Sequence, residues 1–301
     1  MTLITVLIGL FIDRITEMHR ESRVSRWFGP VAETIATRLP ADQSGVLAAL
    51  AVVVPPALLV FLVQWLVLGW LFGLVAIAFG VVVLLLTLGP LDVSDILEDY
   101  IEARRADDTE RSNWFYERFT GEQVPDTIQE EGRCMVEAVL VRAHDHVFAT
   151  VFWFCLLGPA GAVLYRMAAE AALQPAPGIV ARPALHRALR HVLGVLGWFP
   201  ARLMAFGYAM TGSFEHALGR MRANTAAAND LLTANQWLLI NTGTGALRGD
   251  DELERDTPGS DGDRRSHHPA AAADGARRLA LRTGVLWLAA LALLTLAGWF
   301  G

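Results

Sequence analysis

Lysine is absent from this 301-residue sequence, and all 25 basic residues are arginine. This absence excludes the lysine-containing phosphate loop of many nucleotide-binding proteins, and Gly243-Thr244-Gly245 lacks the third glycine of a dinucleotide-binding fingerprint. Only two cysteines occur, Cys134 in a charged segment and Cys155 in an apolar one, so a disulfide framework is not expected. No nucleophile triad can be recognised either. We therefore predict no catalytic residue and no cofactor.

Charged residues are also scarce, at 19% of the chain against 53% hydrophobic residues. A soluble domain usually carries about 25% charged residues. No charged residue occurs at positions 43–91. As one helix this stretch would extend about 73 Å, more than twice a hydrocarbon core of about 30 Å. The stretch therefore predicts two membrane spans, 46–67 and 70–88, joined by a short turn.

Further apolar stretches predict three more spans at 147–168, 192–210 and 284–300, whereas 2–12 is too short to span with certainty. The predicted fold is all-α, a polytopic bundle of four to six membrane helices in a lipid bilayer. The segments 13–45, 90–146 and 212–283 contain five, six and nine arginines. Because positive charge accumulates on the cytoplasmic side, we expect these larger loops to face the cytoplasm.

Two polar regions interrupt the apolar pattern. Residues 91–145 are charged and compatible with helix, and they predict a small cytoplasmic helical subdomain. Residues 248–278 mix charge, proline, glycine and alanine without apolar periodicity. Such a segment buries too little apolar surface to offset the entropy of ordering, so we predict a disordered linker before the last span.

The third predicted span contains a small-residue motif, in which Gly158, Gly161 and Ala162 would allow another helix to approach closely. Pro159 frees a backbone carbonyl, and Arg166 places a permanent charge near the end of the span. One interpretation is a polar site inside the bundle. The alternative is a packing motif that ends in an arginine reaching toward the headgroups.

A polar stripe follows in the fourth predicted span, where steps of three and four residues put five side chains on one helical face. They are Arg187, His191, Gly194, Trp198 and Arg202. An arginine facing lipid costs about 2.5–3.5 kcal/mol, so this face should meet a polar interior, headgroups or an anionic ligand. An amphipathic helix lying in the membrane interface is the alternative.

Two other clusters could in principle hold a metal ion. Four acids, Asp92, Asp95, Asp99 and Glu102, share a helical face, but such a run is more often solvated. His144-Asp145-His146 places its histidines two residues apart, which does not put them on the same helical face. We therefore predict no metal site.

Three stretches match a known family. The first is the apolar opening, 1–15, which closes on the pair Asp13-Arg14. The second, 144–166, contains a Phe-Trp pair and the pattern G-P-x-G-A-x-x-Y-R, and the third, 182–203, ends in W-F-P-A-R-L, which includes Pro200. On these stretches the chain resembles the AmpE family of bacterial inner-membrane proteins. That family is similar to the CobD/CbiB adenosylcobinamide-phosphate synthases, and the resemblance implies one membrane domain over 1–301.

The sequence departs from the synthase branch in two places. In the synthases the Tyr-Arg pair is followed by an N-T-L-D-S-M-like string, whereas 167–170 here reads M-A-A-E. The synthases also carry an acidic pair a dozen residues before P-A-R-L, where 189–194 here reads L-R-H-V-L-G. Basic residues thus replace carboxylates that a phosphate- and metal-using synthase would need, which favours AmpE.

The AmpE resemblance implies a non-enzymatic regulator of β-lactamase induction and antibiotic resistance, linked to the cell-wall recycling amidase AmpD. We hypothesise an anionic muropeptide-like or lipid ligand, whose binding repositions the cytoplasmic helices. Its expected site consists of Tyr165, Arg166, His191, Trp198 and Arg202. No nucleic-acid partner is predicted. Two alternatives remain, a CobD/CbiB-like enzyme of cobalamin biosynthesis and a transporter; few spans and no inverted repeat argue against the transporter.

Overall fold

A computed structural model of the protein describes residues 5–9, 23–38, 45–67, 74–88, 92–223, 229–255 and 269–297. All regular elements within these residues are helical, and they include one π-helical turn, Ala143–Phe148. The helices are α1 (Arg23–Arg38), α2 (Val46–Val67), α3 (Leu74–Thr87), α4 (Asp92–Arg105), α5 (Thr109–Thr120), α6 (Ile128–Arg142), α7 (Ala149–Leu157), α8 (Pro159–Leu173), α9 (Pro177–Val180), α10 (Pro183–Thr211), α11 (Phe214–Ala223), α12 (Leu231–Arg255) and α13 (Pro269–Leu296).

Four helical segments in this part of the chain are long and apolar enough to cross a bilayer. They are Val46–Leu66, Ile128–Leu157, Pro183–Thr211 and Pro269–Leu296. Each contains at least 21 residues, and about 20 residues suffice to cross the hydrocarbon core. A helix pairs its own backbone N–H and C=O groups, and it therefore needs no hydrogen-bond partners from the lipid. The prediction of an all-α membrane bundle is confirmed.

The limits of the spans differ from those predicted. The predicted span 147–168 is wrong, because the helix breaks at Gly158 and the long apolar segment is instead Ile128–Leu157. The predicted span 192–210 lies inside the longer α10, and 284–300 begins within the second half of α13. For the span 70–88, residues 70–73 lie outside the described residues, and α3 supplies 14 residues of it.

Helices pack around two large apolar clusters. The first joins α2 and α8 to the N-terminal half of α10. The second, the distal core, joins α4, α5 and α6 to the C-terminal half of α10, to α12 and to the start of α13. Since α10 contributes to both cores, it connects the two ends of the structure.

The polar segment 91–145 is organised by buried tyrosines of the distal core. The Tyr100 hydroxyl donates to Glu131 Oε1 at 2.7 Å, and Arg104 pairs with the same carboxylate. Burial, together with this hydrogen bond to Glu131, raises the pKa of Tyr100 well above its usual value. Helices α4 and α6 thus pack against α13, and α5 packs against α4 and α6. That 91–145 faces the cytoplasm remains a prediction, and its last helix, α6, is also the first part of the candidate span Ile128–Leu157.

The predicted linker, 248–278, is too wide at both ends. Helix α12 continues to Arg255 and α13 begins at Pro269, while 256–268 lie outside the described residues. The start of α13 is ordered by alanines at a spacing of three, Ala270, Ala273 and Ala276, which are buried in the distal core. Small side chains allow this helix to lie close to α6. The sequence pattern did not predict this helix start because alanine is only weakly apolar.

Candidate functional site

The chain folds back on itself at Gly158, which has a left-handed φ of 70°. Pro159 then occupies the first turn of α8, where its missing N–H costs nothing. Helix α8 packs back against α7, and a Cβ on Gly161 would collide with the Trp153 carbonyl oxygen. The predicted close approach at this motif therefore occurs within one helical hairpin, between α7 and α8.

The π-helical turn precedes this hairpin and carries three polar residues. A π-helical turn is rare and frequently marks a functional site. His144 Nδ1 lies 2.7 Å from Asp145 Oδ1, and both side chains are buried. The hydroxyl of Tyr165, on α8, donates to the same oxygen at 3.4 Å. Because Nδ1 faces a carboxylate, we assign the ring proton to Nδ1.

Arg166 lies beside this group and is buried, with 3% of its side chain exposed. Its NH2 nitrogen donates to Glu170 Oε1 at 2.5 Å, and its NH1 nitrogen lies 3.1 Å from His146 Nδ1. The Arg166 charge is therefore neutralised within the protein by a carboxylate one helical turn away. We call the residues His144, Asp145, His146, Tyr165, Arg166 and Glu170 the buried polar cluster.

This cluster retains unused hydrogen-bonding capacity. Among the described residues, His144 Nε2 and Arg166 Nε are buried and have no hydrogen-bond partner. An unpaired buried polar atom costs about 1–3 kcal/mol, so small polar molecules such as water are expected beside these atoms.

The other arginine of the expected site, Arg202, is exposed on α10. Its NH1 nitrogen donates to the Trp198 carbonyl at 2.8 Å and to Asn235 Oδ1 at 3.2 Å. The guanidinium carbon lies 3.8 Å from the centroid of the Trp198 ring. Asn235, on α12, is buried and donates to the Gly194 carbonyl at 2.8 Å. We call Trp198, Arg202 and Asn235 the outer arginine site.

The five residues of the expected site thus belong to different environments. Tyr165 and Arg166 lie in the buried polar cluster, Trp198 and Arg202 in the outer arginine site, and His191 is exposed on α10. The two groups adjoin at Gly197, where a Cβ would lie 3.4 Å from Asn235 Nδ2 and 3.8 Å from His144 Cε1. Pro200 is buried within α10.

A separate group of polar contacts, made by Arg190, connects α10 to the start of α12. Arg190 Nε donates to Asp230 Oδ2 at 2.9 Å, and its NH2 nitrogen donates to the Thr233 hydroxyl at 3.2 Å. Asp230 also accepts from the Thr233 N–H at 2.7 Å, as an N-cap does. Partial burial opposes ionisation of Asp230, but hydrogen bonds from Thr233 and Arg190 outweigh it and lower its pKa.

Sequence reasoning missed three polar partners: Asp145 as an acceptor, Glu170 and Asn235. Glu170 follows Arg166 by four residues, a spacing that predicts an ion pair on one helix, so this signal was available. Nothing in the sequence points from Arg202 to Asn235, 33 residues further on. Among the described residues no three metal-ligating side chains converge; of the acidic run, Asp95 and Glu102 are exposed.

Comparisons with known proteins give two relatives over part of the chain. The cobalamin biosynthesis protein CobD of Chromobacterium violaceum is 35% identical over 142 residues, which cover 46% of this chain and 42% of the relative. The CobD protein of Stutzerimonas stutzeri is 31% identical over 122 residues, which cover 40% of this chain and 39% of the relative. The chain thus spans about two fifths of each relative. No solved structure matches.

The match to a family is far longer. The family described as regulatory signalling modulator protein AmpE matches residues 1–298, which include the hairpin, the buried polar cluster and the outer arginine site. With its four candidate spans, the chain belongs to the AmpE family of bacterial inner-membrane proteins.

Proposed function

We propose that this protein regulates β-lactamase induction from the bacterial inner membrane, in functional partnership with an AmpD-type amidase of cell-wall peptide recycling. The family match over nearly the whole chain supports a regulatory membrane protein. The finer assignment, to β-lactamase induction, rests on the properties that the AmpE resemblance implies.

The structural observation that favours this proposal is the pairing of Arg190 with Asp230. Arg190 lies in the 189–194 segment, where the synthase branch is expected to carry its acidic pair. Here the position holds a cation whose guanidinium donates to Asp230, and Asp230 also accepts the Thr233 N–H at the start of α12. A residue committed to joining two helices is not available to bind a phosphate-bearing substrate or a metal ion.

The same geometry supports a route for a signal. Helix α10 contributes to both cores, and its central residues carry the outer arginine site and touch α12 and the π-helical turn. A ligand that binds one arrangement of α10 and α12 better than another shifts the population toward it. The distal core then transmits the change to α4 and α5, which we expect to face the cytoplasm.

Gene deletion tests this proposal directly. β-Lactamase activity is measured with and without an inducing β-lactam in the parent, in the deletion strain and in a strain complemented with the intact gene. We expect deletion to change induction and complementation to restore it. Unchanged induction in the deletion strain would reject the regulatory assignment.

The second candidate is an enzyme of cobalamin biosynthesis, favoured by the partial similarity to the two CobD proteins. Its test uses a strain that lacks its own adenosylcobinamide-phosphate synthase and depends on corrinoid synthesis for growth. Growth restored by this gene would establish the enzyme. Failure to restore growth, together with altered β-lactamase induction, supports the regulator.

A further inference from the structure

We infer that the outer arginine site binds an anionic, phosphate-headed lipid, with the phosphate on Arg202 and the chains along the exposed apolar face of α10. This inference deepens the proposed regulatory function, because it names the class of ligand whose binding would bias α10. It concerns one class of chemistry, a phosphate on a lipid. Membrane glycerophospholipids and polyprenyl phosphates both supply it.

The first argument is that Arg202 is held in place yet incompletely bonded. Its NH1 nitrogen is used twice, by the Trp198 carbonyl and by Asn235 Oδ1. Its Nε and NH2 nitrogens have no hydrogen bond within the described part of the chain, and the side chain is exposed. Guanidinium nitrogens form a planar fork that matches two phosphate oxygens. The open edge of Arg202 therefore presents donors for an anion.

The second argument is that a buried side chain fixes the orientation of this fork. Asn235 is only 2% exposed, and its Nδ2 nitrogen donates to the Gly194 carbonyl at 2.8 Å. That bond turns Asn235 Oδ1 toward Arg202. The Trp198 ring, 3.8 Å below the guanidinium carbon, supports the other side by a cation–π contact. A site that is ordered before binding loses less entropy when its ligand arrives.

The third argument comes from the surroundings. Arg202 lies inside a candidate membrane span, Pro183–Thr211. On the same helix, three large apolar side chains are about half exposed, Val195 at 52%, Phe199 at 51% and Phe206 at 53%. An arginine facing lipid costs about 2.5–3.5 kcal/mol unless it is paired. A lipid offers an anion for Arg202 and apolar chains for its neighbours at the same time.

Two other arginines singled out in the sequence, Arg166 of the expected site and Arg187 of the polar stripe, do not offer this combination. Arg166 is buried and already paired with Glu170. Arg187 is exposed on α10 and its Nε donates to the Pro183 carbonyl at 3.4 Å, but among the described residues no aromatic ring makes a cation–π contact with it. Arg187 is therefore the matched control for Arg202, since both are exposed cations on one helix.

The test is native mass spectrometry of the full-length protein purified in detergent. The protein is titrated with phosphatidylglycerol, with a polyprenyl phosphate and with an uncharged diacylglycerol, and the apparent Kd of each adduct is measured. We expect at least one phosphate-headed lipid to bind, and diacylglycerol to bind about tenfold more weakly. Arg202→Ala should weaken phosphate-lipid binding about tenfold, whereas Arg187→Ala should leave it within about twofold.

Further variants separate a specific site from general charge. Arg202→Lys keeps the charge without the fork and should bind with intermediate affinity, and Asn235→Ala should weaken binding because Arg202 loses its support. Thermal unfolding confirms that each variant is folded. Preference for phosphatidylglycerol or for polyprenyl phosphate identifies the source, and both outcomes support the site. Equal binding by the intact protein and Arg202→Ala, or by diacylglycerol and the phosphate lipids, overturns it.

Failure of this site and failure of the proposed function remain distinguishable. If Arg202→Ala abolishes lipid binding but leaves β-lactamase induction unchanged, the site stands and its regulatory role is rejected. If gene deletion leaves induction unchanged, the regulatory function is rejected whatever the protein binds. If induction needs the gene while the lipid assay is negative, only the lipid inference is rejected.

Discussion

Arg166 and Glu170, one helical turn apart on α8, form an ion pair of 2.5 Å in which both side chains are almost completely buried. Helix α8 itself has 12 buried residues among its 15. Charges in such surroundings are strongly disfavoured unless they are paired. The pair thus explains how a permanent cation is accommodated inside a membrane bundle, and it determines what Arg166 can and cannot bind.

Removing one partner of this pair should lower the free energy of unfolding more than removing both partners. Arg166→Met leaves Glu170 as an unpaired buried carboxylate, and we expect a loss of about 3–5 kcal/mol in the free energy of unfolding. Arg166→Met combined with Glu170→Leu removes both charges and should recover most of that loss. Equilibrium unfolding in mixed micelles measures all variants. Equal losses in the single and double variants would contradict the claim that the unpaired Glu170 carboxylate causes the loss.

Close approach at Gly161 gives a second prediction. A methyl group there would collide with the Trp153 carbonyl oxygen and lie 2.7 Å from Leu157 Cβ, so Gly161→Ala should destabilise the fold by about 1–3 kcal/mol. Gly219, within α11, has nothing within 4 Å of the same position. Gly219→Ala should therefore be neutral or stabilise by up to about 1 kcal/mol. Thermal unfolding compares them, and a stable Gly161→Ala variant contradicts the hairpin packing.

Two buried tyrosines allow a comparison of hydrogen bonds by length. The Tyr208 hydroxyl donates to the Leu140 carbonyl at 2.9 Å, whereas Tyr165 donates to Asp145 Oδ1 at 3.4 Å. A bond near the upper limit of length contributes little. We expect Tyr208→Phe to cost about 1–1.5 kcal/mol and Tyr165→Phe about 0.5 kcal/mol or less. The reverse order, in unfolding measurements, would mean that Asp145 depends on Tyr165 more than the geometry indicates.

The Asp230 cap should make stability depend on acid pH. Its pKa is lowered in the folded protein, so its contribution is complete above the unfolded pKa of about 3.9 and is lost as the pH falls through the folded value. Asp230→Asn keeps a capping side chain but loses the ionic contact with Arg190. We expect Asp230→Asn to be less stable than the intact protein at pH 7 and nearly equal to it below the folded pKa. Thermal unfolding of both proteins, from pH 7 down through the folded pKa of Asp230, measures this; a difference independent of pH argues against an ionised Asp230.

Membrane residence and helical class could be predicted because both depend on local sequence. An uncharged run such as 43–91 and the other apolar stretches are unstable in water as exposed helices, whatever surrounds them. Span limits were less predictable. The uninterrupted apolar sequence of 147–168 did not predict the chain reversal at Gly158. A Gly-Pro step is compatible both with a kinked helix and with a hairpin.

The candidate site was predictable only in part. Arg166 and Arg202 were both singled out by their charge in apolar surroundings, and the sequence treated them as equivalent. The structure separates them, because Glu170 and His146 enclose Arg166 while Trp198 and Asn235 leave one edge of Arg202 open.

The sequence alone therefore determined that this protein resides in a membrane and that it is helical. It also contains the motifs that relate the chain to the AmpE family. Tertiary structure decided which arginine is neutralised and which remains available for a ligand. The physical reason is that hydrophobicity acts along the chain and needs no particular partner. A hydrogen bond or ion pair is directional and short, so Arg202 meets Asn235 only once α10 and α12 have packed together.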